Sequence, residues 1–451
     1  MAAFPPEFTW GVSTAAYQIE GAVADGKGAS IWDGFAHDAG RIVDGSDGDE
    51  ACDHLARLDE DLALLARLGV GAYRFSTAWT RLFPEGGGRL RRAGLDAYER
   101  LVDGLLERGI APWLCLYHWD LPQALQDRGG WAQRDTVHYF ADYAATVAEH
   151  LGDRVRHFLM LNEPNVHAVL GHLLGVHAPG VSDPGAFAAA LHHQNLATGM
   201  GLARLRDIDP SLTLGTIVNL QPVAAAAEGE EHQRAAELLD AVWNRASLDP
   251  LLLGRYPEPA AWLLGEVADT DDLRLIRQPL DVLGVNYYSR TWVRASTTSL
   301  VGLEPVDPPP GSPTTAMGWE VAPGALTEVL AELRDAYGNP PVVITENGAA
   351  YEDLPGADGR VDDVARARYL ARHLRAVQEA REAGCDVRGY FAWTLVDNFE
   401  WAEGFSKRFG LVRLERATQR RTPKRSFEVY RSLIRGAAPA AVEEALPAGD
   451  G

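Results

Sequence analysis

Short apolar runs alternate along this chain with longer stretches in which apolar residues recur every three or four positions. The runs Phe8–Ser13, Val70–Ser76, Ala111–His118, Phe158–Asn162, Leu214–Asn219, Val282–Tyr287, Val342–Glu346 and Gly389–Leu395 predict eight strands. Between them, Asp53–Leu68 sets Leu55, Leu58, Leu62, Leu65 and Leu68 on one stripe, as an amphipathic helix requires. Ala93–Glu107, Thr136–Leu151, Phe187–Asp207, Glu230–Ala246, Ala325–Tyr337 and Val364–Ala383 follow the same rule. Gly69, Gly109, Gly152, Gly338 and Gly384 come where those helices should stop, and glycine takes a left-handed C-cap without steric cost.

Strand–helix alternation predicts an α/β protein with a parallel sheet, and eight repeats predict closure as a single (β/α)8 TIM barrel. An open doubly wound sheet is the structural rival. The proline-rich segment Ser296–Trp319 is expected to be a long loop after the sixth strand, overhanging the active-site face of a barrel. Residues 1–436 are expected to form a single barrel domain, and the Ala-, Pro- and Glu-rich residues 437–451 a flexible C-terminal tail.

Composition narrows the function. The formal charge of −21 argues against nucleic acid or an anionic membrane as partner. No apolar stretch approaches the ~20 residues that span a bilayer. Three scattered cysteines (Cys52, Cys115, Cys385) form neither a disulfide framework nor a clustered metal site. The opening residues have no basic start followed by an apolar run, so the expected location is cytoplasmic.

In a (β/α)8 barrel, chemistry gathers at the C-terminal ends of the strands. Here those ends read Arg74-Phe75-Ser76, His118-Trp119-Asp120, Asn162-Glu163-Pro164, Asn286-Tyr287-Tyr288, Thr345-Glu346-Asn347-Gly348 and Trp393-Thr394-Leu395, with Asp397-Asn398-Phe399-Glu400-Trp401 after the last. Glu163 and Glu346 each follow directly on an apolar run. A carboxylate there is partly desolvated, which is costly unless the group is paired or used. A structural ion pair, for instance with Arg74, is the alternative for either one taken singly. Strands four and seven face each other across a barrel mouth, which favours a shared use. Sugar hydroxyls need planar multi-point hydrogen-bonders, and the C–H faces of a sugar ring stack on indoles. Several of the 12 tryptophans sit beside such polar groups: Trp119 after His118, and Trp401 after Glu400. A single tryptophan is more often core packing, but the pairing recurs at strand ends.

Rival chemistries have weaker signals. Adjacent His192 and His193 on a helix point about 100° apart and chelate one ion poorly. His118 has only Asp120 as a nearby ligand type, so neither a metal nor a cofactor is expected. Gly86-Gly87-Gly88 lacks the Lys-Ser/Thr of a phosphate loop.

From Phe8 to about Leu433 the chain resembles glycoside hydrolase family 1, the β-glucosidase family. The resemblance is carried by Phe8-Thr9-Trp10-Gly11, Ala16-Tyr17-Gln18-Ile19-Glu20-Gly21, Tyr73-Arg74-Phe75-Ser76, Tyr117-His118-Trp119-Asp120-Leu121-Pro122 and Met317-Gly318-Trp319-Glu320. Asn162-Glu163-Pro164 and Ile344-Thr345-Glu346-Asn347-Gly348 are similar to its two catalytic motifs, and Asp397-Asn398-Phe399-Glu400-Trp401 to its sugar-reading loop. The order and spacing of these motifs are specific.

The resemblance implies a retaining β-glucosidase with Glu346 as nucleophile and Glu163 as general acid/base, their carboxyls about 5 Å apart. It implies that Arg74 and Tyr288 flank Glu346, and that Gln18, His118, Asn162 and Glu400 bind hydroxyls of the terminal sugar. Trp393 would stack under the ring, Trp401 would border it and Trp319 would flank the leaving group. Sharing a pocket with a second carboxylate should raise the pKa of Glu163. Phe158-Leu159-Met160-Leu161 departs from the usual Trp-Ile-Thr-Phe before the asparagine, a change of buried packing. Members acting on 6-phosphorylated sugars carry Ser where this chain has Glu400 and Tyr where it has Phe409, so unphosphorylated β-glucosides and short oligosaccharides such as cellobiose are the expected partners. β-Galactoside or β-fucoside tolerance is a further expectation. The alternatives are transglycosylation through the same intermediate, a 6-phospho-β-glucosidase, and a non-catalytic sugar-binding barrel.

Overall fold

The computed structural model describes residues 4–267, 269–299 and 301–447. Eight parallel strands close a barrel: β1 (Thr9–Ser13), β2 (Ala72–Ser76), β3 (Ala111–Tyr117), β4 (His157–Asn162), β5 (Thr213–Asn219), β6 (Val282–Asn286), β7 (Val342–Asn347) and β8 (Val387–Trp393). Each strand hydrogen-bonds its sequence neighbours, and β1 pairs with β8 to complete the ring. Every strand expected from the apolar runs is present, with bounds shifted by at most two residues.

An outer ring follows in sequence: α1 (Leu58–Leu68), α2 (Arg92–Leu106), α3 (Asp135–Leu151), α4 (Pro184–Ile208), α5 (Glu230–Asp240), α6 (Pro323–Ala336), α7 (Val364–Glu382) and α8 (Arg425–Ile434). The first helix starts at Leu58, later than expected, because Ala51 and Asp53 hold left-handed backbone that a helix cannot contain. The helix expected over 230–246 is interrupted by a π-helical turn, Ala241–Arg245, and resumes as Ala246–Leu252.

Two-residue alternation divides each strand between two cores. Ala72, Trp113, Cys115, Leu159, Ile217, Val282, Val343 and Phe391 fill the barrel interior. Tyr73, Leu114, Phe158, Val218, Leu283 and Val342 pack outward into the layer beneath the helices. Gly11 admits the interior ring of Phe391: a Cβ there would lie 2.2 Å from it.

Two irregular regions differ from expectation. The segment 296–319 contains a strand, Leu303–Val306, paired antiparallel with Thr291–Ala295, which also pairs with Val223–Ala225. Pro305 is tolerated because this strand is the edge of its small sheet. The expected tail contains a helix, α9 (Pro439–Ala445), with proline in its first turn. Glu443 anchors it by accepting from Arg372 Nε (2.6 Å) and Arg375 Nη1 (3.1 Å) on α7. Residues 448–451 of that expectation lie outside the described residues.

Candidate active site

The site is the next inward layer of the barrel. Two residues beyond Ala72, Ile217 and Phe391 stand Arg74, Asn219 and Trp393, and four beyond Val282 stands Asn286. The two glutamates need more than alternation. Pairing shifts register between Ile344 and Glu346 on β7 and between Leu159 and Asn162 on β4. Such irregularities re-aim the side chains that follow. Glu163 itself has φ 48°, and Trp119 (φ 73°) and Trp401 (φ 49°) also hold left-handed backbone. Each costs about 1–3 kcal/mol, a strain that clusters at functional sites.

The two carboxylates have different surroundings. Glu346 receives Arg74 Nη1 on Oε1 and Tyr288 Oη on Oε2, the latter at 2.7 Å. Glu163 receives only amides, Asn286 Nδ2 (2.8 Å) and Asn219 Nδ2 (2.9 Å), both on Oε1. Asn162 joins the two sides. Its Oδ1 accepts from Arg74 Nη2 (2.7 Å) and Asn286 Nδ2 (3.0 Å), and its Nδ2 lies 3.0 Å from His118 Nε2. Thr345 Oγ1 donates to Asn286 Oδ1 (2.7 Å), and Trp243 Nε1 to Asn219 Oδ1 (3.1 Å), so the amides that hold Glu163 are themselves held.

Burial, and after it the charge of Glu346, push the Glu163 carboxyl up to about 8; the two amides and Arg74 offset this only in part. Glu400 is also pushed up to about 8, by burial first and then by Glu346 and Glu163. Burial and Arg74 hold His118 well below the usual imidazole range, so it is neutral. Burial, Glu346 and Glu163 raise Tyr288 far enough that it stays a hydroxyl donor.

These groups surround a cavity of about 210 Å³ whose wall includes Glu163, Glu346, His118, Tyr288, Glu400, Trp319, Trp393 and Trp401. Gln18, Arg74 and Asn162 are buried behind that wall. Gln18 Nε2 donates to Phe399 O (2.9 Å), Asn398 Oδ1 (3.2 Å) and Glu400 Oε2 (3.5 Å), and its Oε1 has no protein partner. His118 lies 5.7 Å from Trp401 and 6.0 Å from Trp393, ring to ring and nearly parallel. All eleven residues singled out from the sequence therefore meet at one end of the barrel. His192 and His193 do not join them: His192 bonds Tyr256 and Asp272, and His193 bonds Trp131 O. Among the described residues, the group that brings three possible metal-ligand atoms together is His37, Asp47 and Asp49, none of which lines the cavity.

The model of glycosyl hydrolase family 1 matches residues 1–438. The chain belongs to this family. It is 43% identical to beta-glucosidase A of Acetivibrio thermocellus, covering 96% of this chain and 98% of that one. It is 46% identical to a bifunctional beta-D-glucosidase/beta-D-fucosidase of Bifidobacterium breve, with 96% and 98% covered. The solved beta-glucosidase from Thermotoga maritima in complex with deoxynojirimycin is similar at TM-score 0.93 and 42% identity, over 97% of this chain and 99% of that one.

Within this family 1 barrel, some residues of the site were not assigned a role from the sequence. Asn219, on the cavity wall, and Asn286, noted at its strand end, had a signal: each is a polar residue at an inward position of an otherwise apolar strand end. Trp243, which borders the cavity, had none, because the π-helical turn that presents it breaks the expected helical phase. Gln221, Met317 and Phe409 also line the wall and come from connections after strands.

Proposed function

We propose that this chain is a retaining β-glucosidase that cleaves terminal, non-reducing β-D-glucosyl residues, with Glu346 as nucleophile and Glu163 as general acid/base. The observation that carries the reading is the asymmetry of the two glutamates. Glu346 is held by a guanidinium and a phenol, partners that favour a carboxylate able to attack the anomeric carbon. Glu163 is buried beside that charge and bonded only to neutral amides, so at neutral pH it keeps a proton to give to the leaving oxygen. Both amides converge on Oε1, which leaves Oε2 to carry that proton. Once Glu346 becomes a glycosyl ester its charge is gone, the pKa of Glu163 falls, and Glu163 takes a proton from the incoming water.

His118, Glu400, Trp393 and Trp401 read the sugar in this scheme. Gln18 and Asn162 support it from behind. Trp319 flanks the leaving group. Glu400 stands where family members acting on 6-phosphorylated sugars carry Ser, so the substrates are unphosphorylated β-glucosides, including cellobiose and short β-linked oligosaccharides. The bifunctional Bifidobacterium relative supports added β-fucoside tolerance. The three cysteines are free and buried, which suits a reducing, cytoplasmic setting. Among the described residues no helix is long and apolar enough to cross a membrane.

The test is a panel of aryl β-glycosides and cellobiose followed by proton NMR. β-Glucose should be the first anomer released, with glucosides and fucosides ahead of 6-phosphoglucosides. First release of α-glucose would exclude a double displacement.

A further inference from the structure

A second cavity lies beside the first, on the side of Glu163. It is a groove of about 300 Å³ lined by Val169, Leu173, Leu239, Val242, Trp262 and Leu303, with Trp243 forming part of its wall and of the catalytic cavity's wall. Its floor is a seam between two satellite cores. One joins the π-helical turns Val169–Leu173 and Ala241–Arg245, and the other joins α5 to the small three-stranded sheet. π-Turns in helices are frequent at functional sites, and here both border the same opening. The ridge between the two cavities is Leu170, which faces the catalytic side, and Trp243. The indole of Trp243 bonds Asn219, and Asn219 bonds Glu163, so the ridge stands next to the group proposed to protonate the leaving oxygen.

The lining fixes the chemistry of an occupant. Glu304 is its one charged residue among those described, and Arg294 neutralises it. Trp262 and Leu174 remain 63% and 54% exposed at the rim, where apolar side chains lose free energy to water. A sugar would find almost no hydrogen-bonding groups there. We infer that this groove binds the uncharged, apolar tail of the leaving group, so that the enzyme prefers long-chain alkyl β-glucosides to short ones. The inference rests on the β-glucosidase reading and adds the class of aglycone.

Seating a methylene in such a groove is worth roughly a fourfold gain in binding. The tail is remote from the reacting bond, so the gain should appear in KM and leave kcat nearly unchanged. The experiment compares methyl, butyl, hexyl and octyl β-glucosides below micelle-forming concentrations, with 4-nitrophenyl β-glucoside as reference. The wild-type chain and the exposed-rim double variant Trp262→Ser/Leu174→Gln are both assayed. For wild type, kcat/KM should rise by roughly tenfold or more from methyl to octyl. In the double variant that rise should shrink at least threefold, with turnover of the aryl glucoside unchanged. A flat chain-length series in an enzyme that turns over the aryl glucoside overturns the inference and leaves the β-glucosidase reading standing. So does a steep series that the double variant does not alter. A dimer that the double variant dissociates, together with a flat series, reassigns the groove to self-association. Failure to cleave any β-glucoside, aryl included, sinks the parent reading and this one with it.

Discussion

Replacing Glu346 with Gln removes the charge that ranks second, after burial, in holding the Glu163 carboxyl near 8. The size of the effect follows from spacing. Two carboxylates about 5 Å apart, as retention requires, repel by about 3 kcal/mol at an effective dielectric constant of ~20. Since one pKa unit is about 1.4 kcal/mol, that repulsion corresponds to a pKa change of about 2. Arg74 works in the same direction, because its charge is neutralised by Glu346 in the native protein and is freed in the variant. Burial persists, so Glu163 should not return to the ordinary value of 4.5. It should titrate at about 6 in Glu346→Gln. The assay is carbon-13 NMR of protein labelled at the glutamate carboxyl carbon, with the Glu163 resonance assigned by its loss in a Glu163→Gln/Glu346→Gln double variant. A Glu163 pKa that stays near 8 or rises would refute the reasoning. Burial alone would then set the value, and ester formation at Glu346 would supply no trigger for Glu163 to turn from acid to base.

The raised carboxyl has a second consequence, for stability. The folded protein keeps the Glu163 proton at pH values where the unfolded chain has lost it, so this group's contribution is full below about pH 4.5, declines toward pH 8 and is level above. Glu163→Gln should therefore raise Tm more at pH 8.5 than at pH 5 by calorimetry; an equal shift at both would deny the burial penalty. Arg74→Met leaves Glu346 buried without its cation, which should cost about 3–5 kcal/mol in urea unfolding and lower kcat/KM by orders of magnitude. An active Arg74→Met enzyme would show that Glu346 needs no charge partner. Lys424 is fully buried between Asp353 (2.6 Å) and Asp397 (2.7 Å), and Asp397 also accepts from Gly410 N (2.9 Å) ahead of the Glu400–Trp401 loop. Lys424→Met should cost about 3 kcal/mol or more and raise KM through that loop; unchanged Tm and KM would remove the loop from the account.

The barrel was legible because strands buried on both faces read as compact apolar runs, and glycine marks where most intervening helices stop. The glutamates were legible because a charge directly after such a run, as in Leu161-Asn162-Glu163 or Ile344-Thr345-Glu346, conflicts with burial unless it serves a purpose. Other features depend on geometry that no local pattern carries. Strict alternation would turn Glu346 outward with Ile344, and only the register shift on β7 turns it to the cavity. Trp243 reaches the site because a π-turn changes helical phase at Ala241. The strand Leu303–Val306 was hidden by Pro305, a residue that argues against a central strand but is allowed at an edge. Helix α9 was hidden by a composition that resembles a tail; it is held by Glu443 reaching two arginines about seventy residues away in sequence.

The central claim is that Glu346 attacks and Glu163 trades a proton. Its most direct test is trapping the intermediate with a 2-deoxy-2-fluoro-β-glucoside bearing an activated leaving group, followed by proteolysis and mass mapping. The fluorine slows hydrolysis of the ester, so the label survives digestion. The account predicts one fluoroglucosyl adduct per chain, on the carboxyl of Glu346, with activity lost in proportion to labelling. An adduct on Glu163, on Glu400 or on any other residue, or inactivation without an adduct, would contradict it.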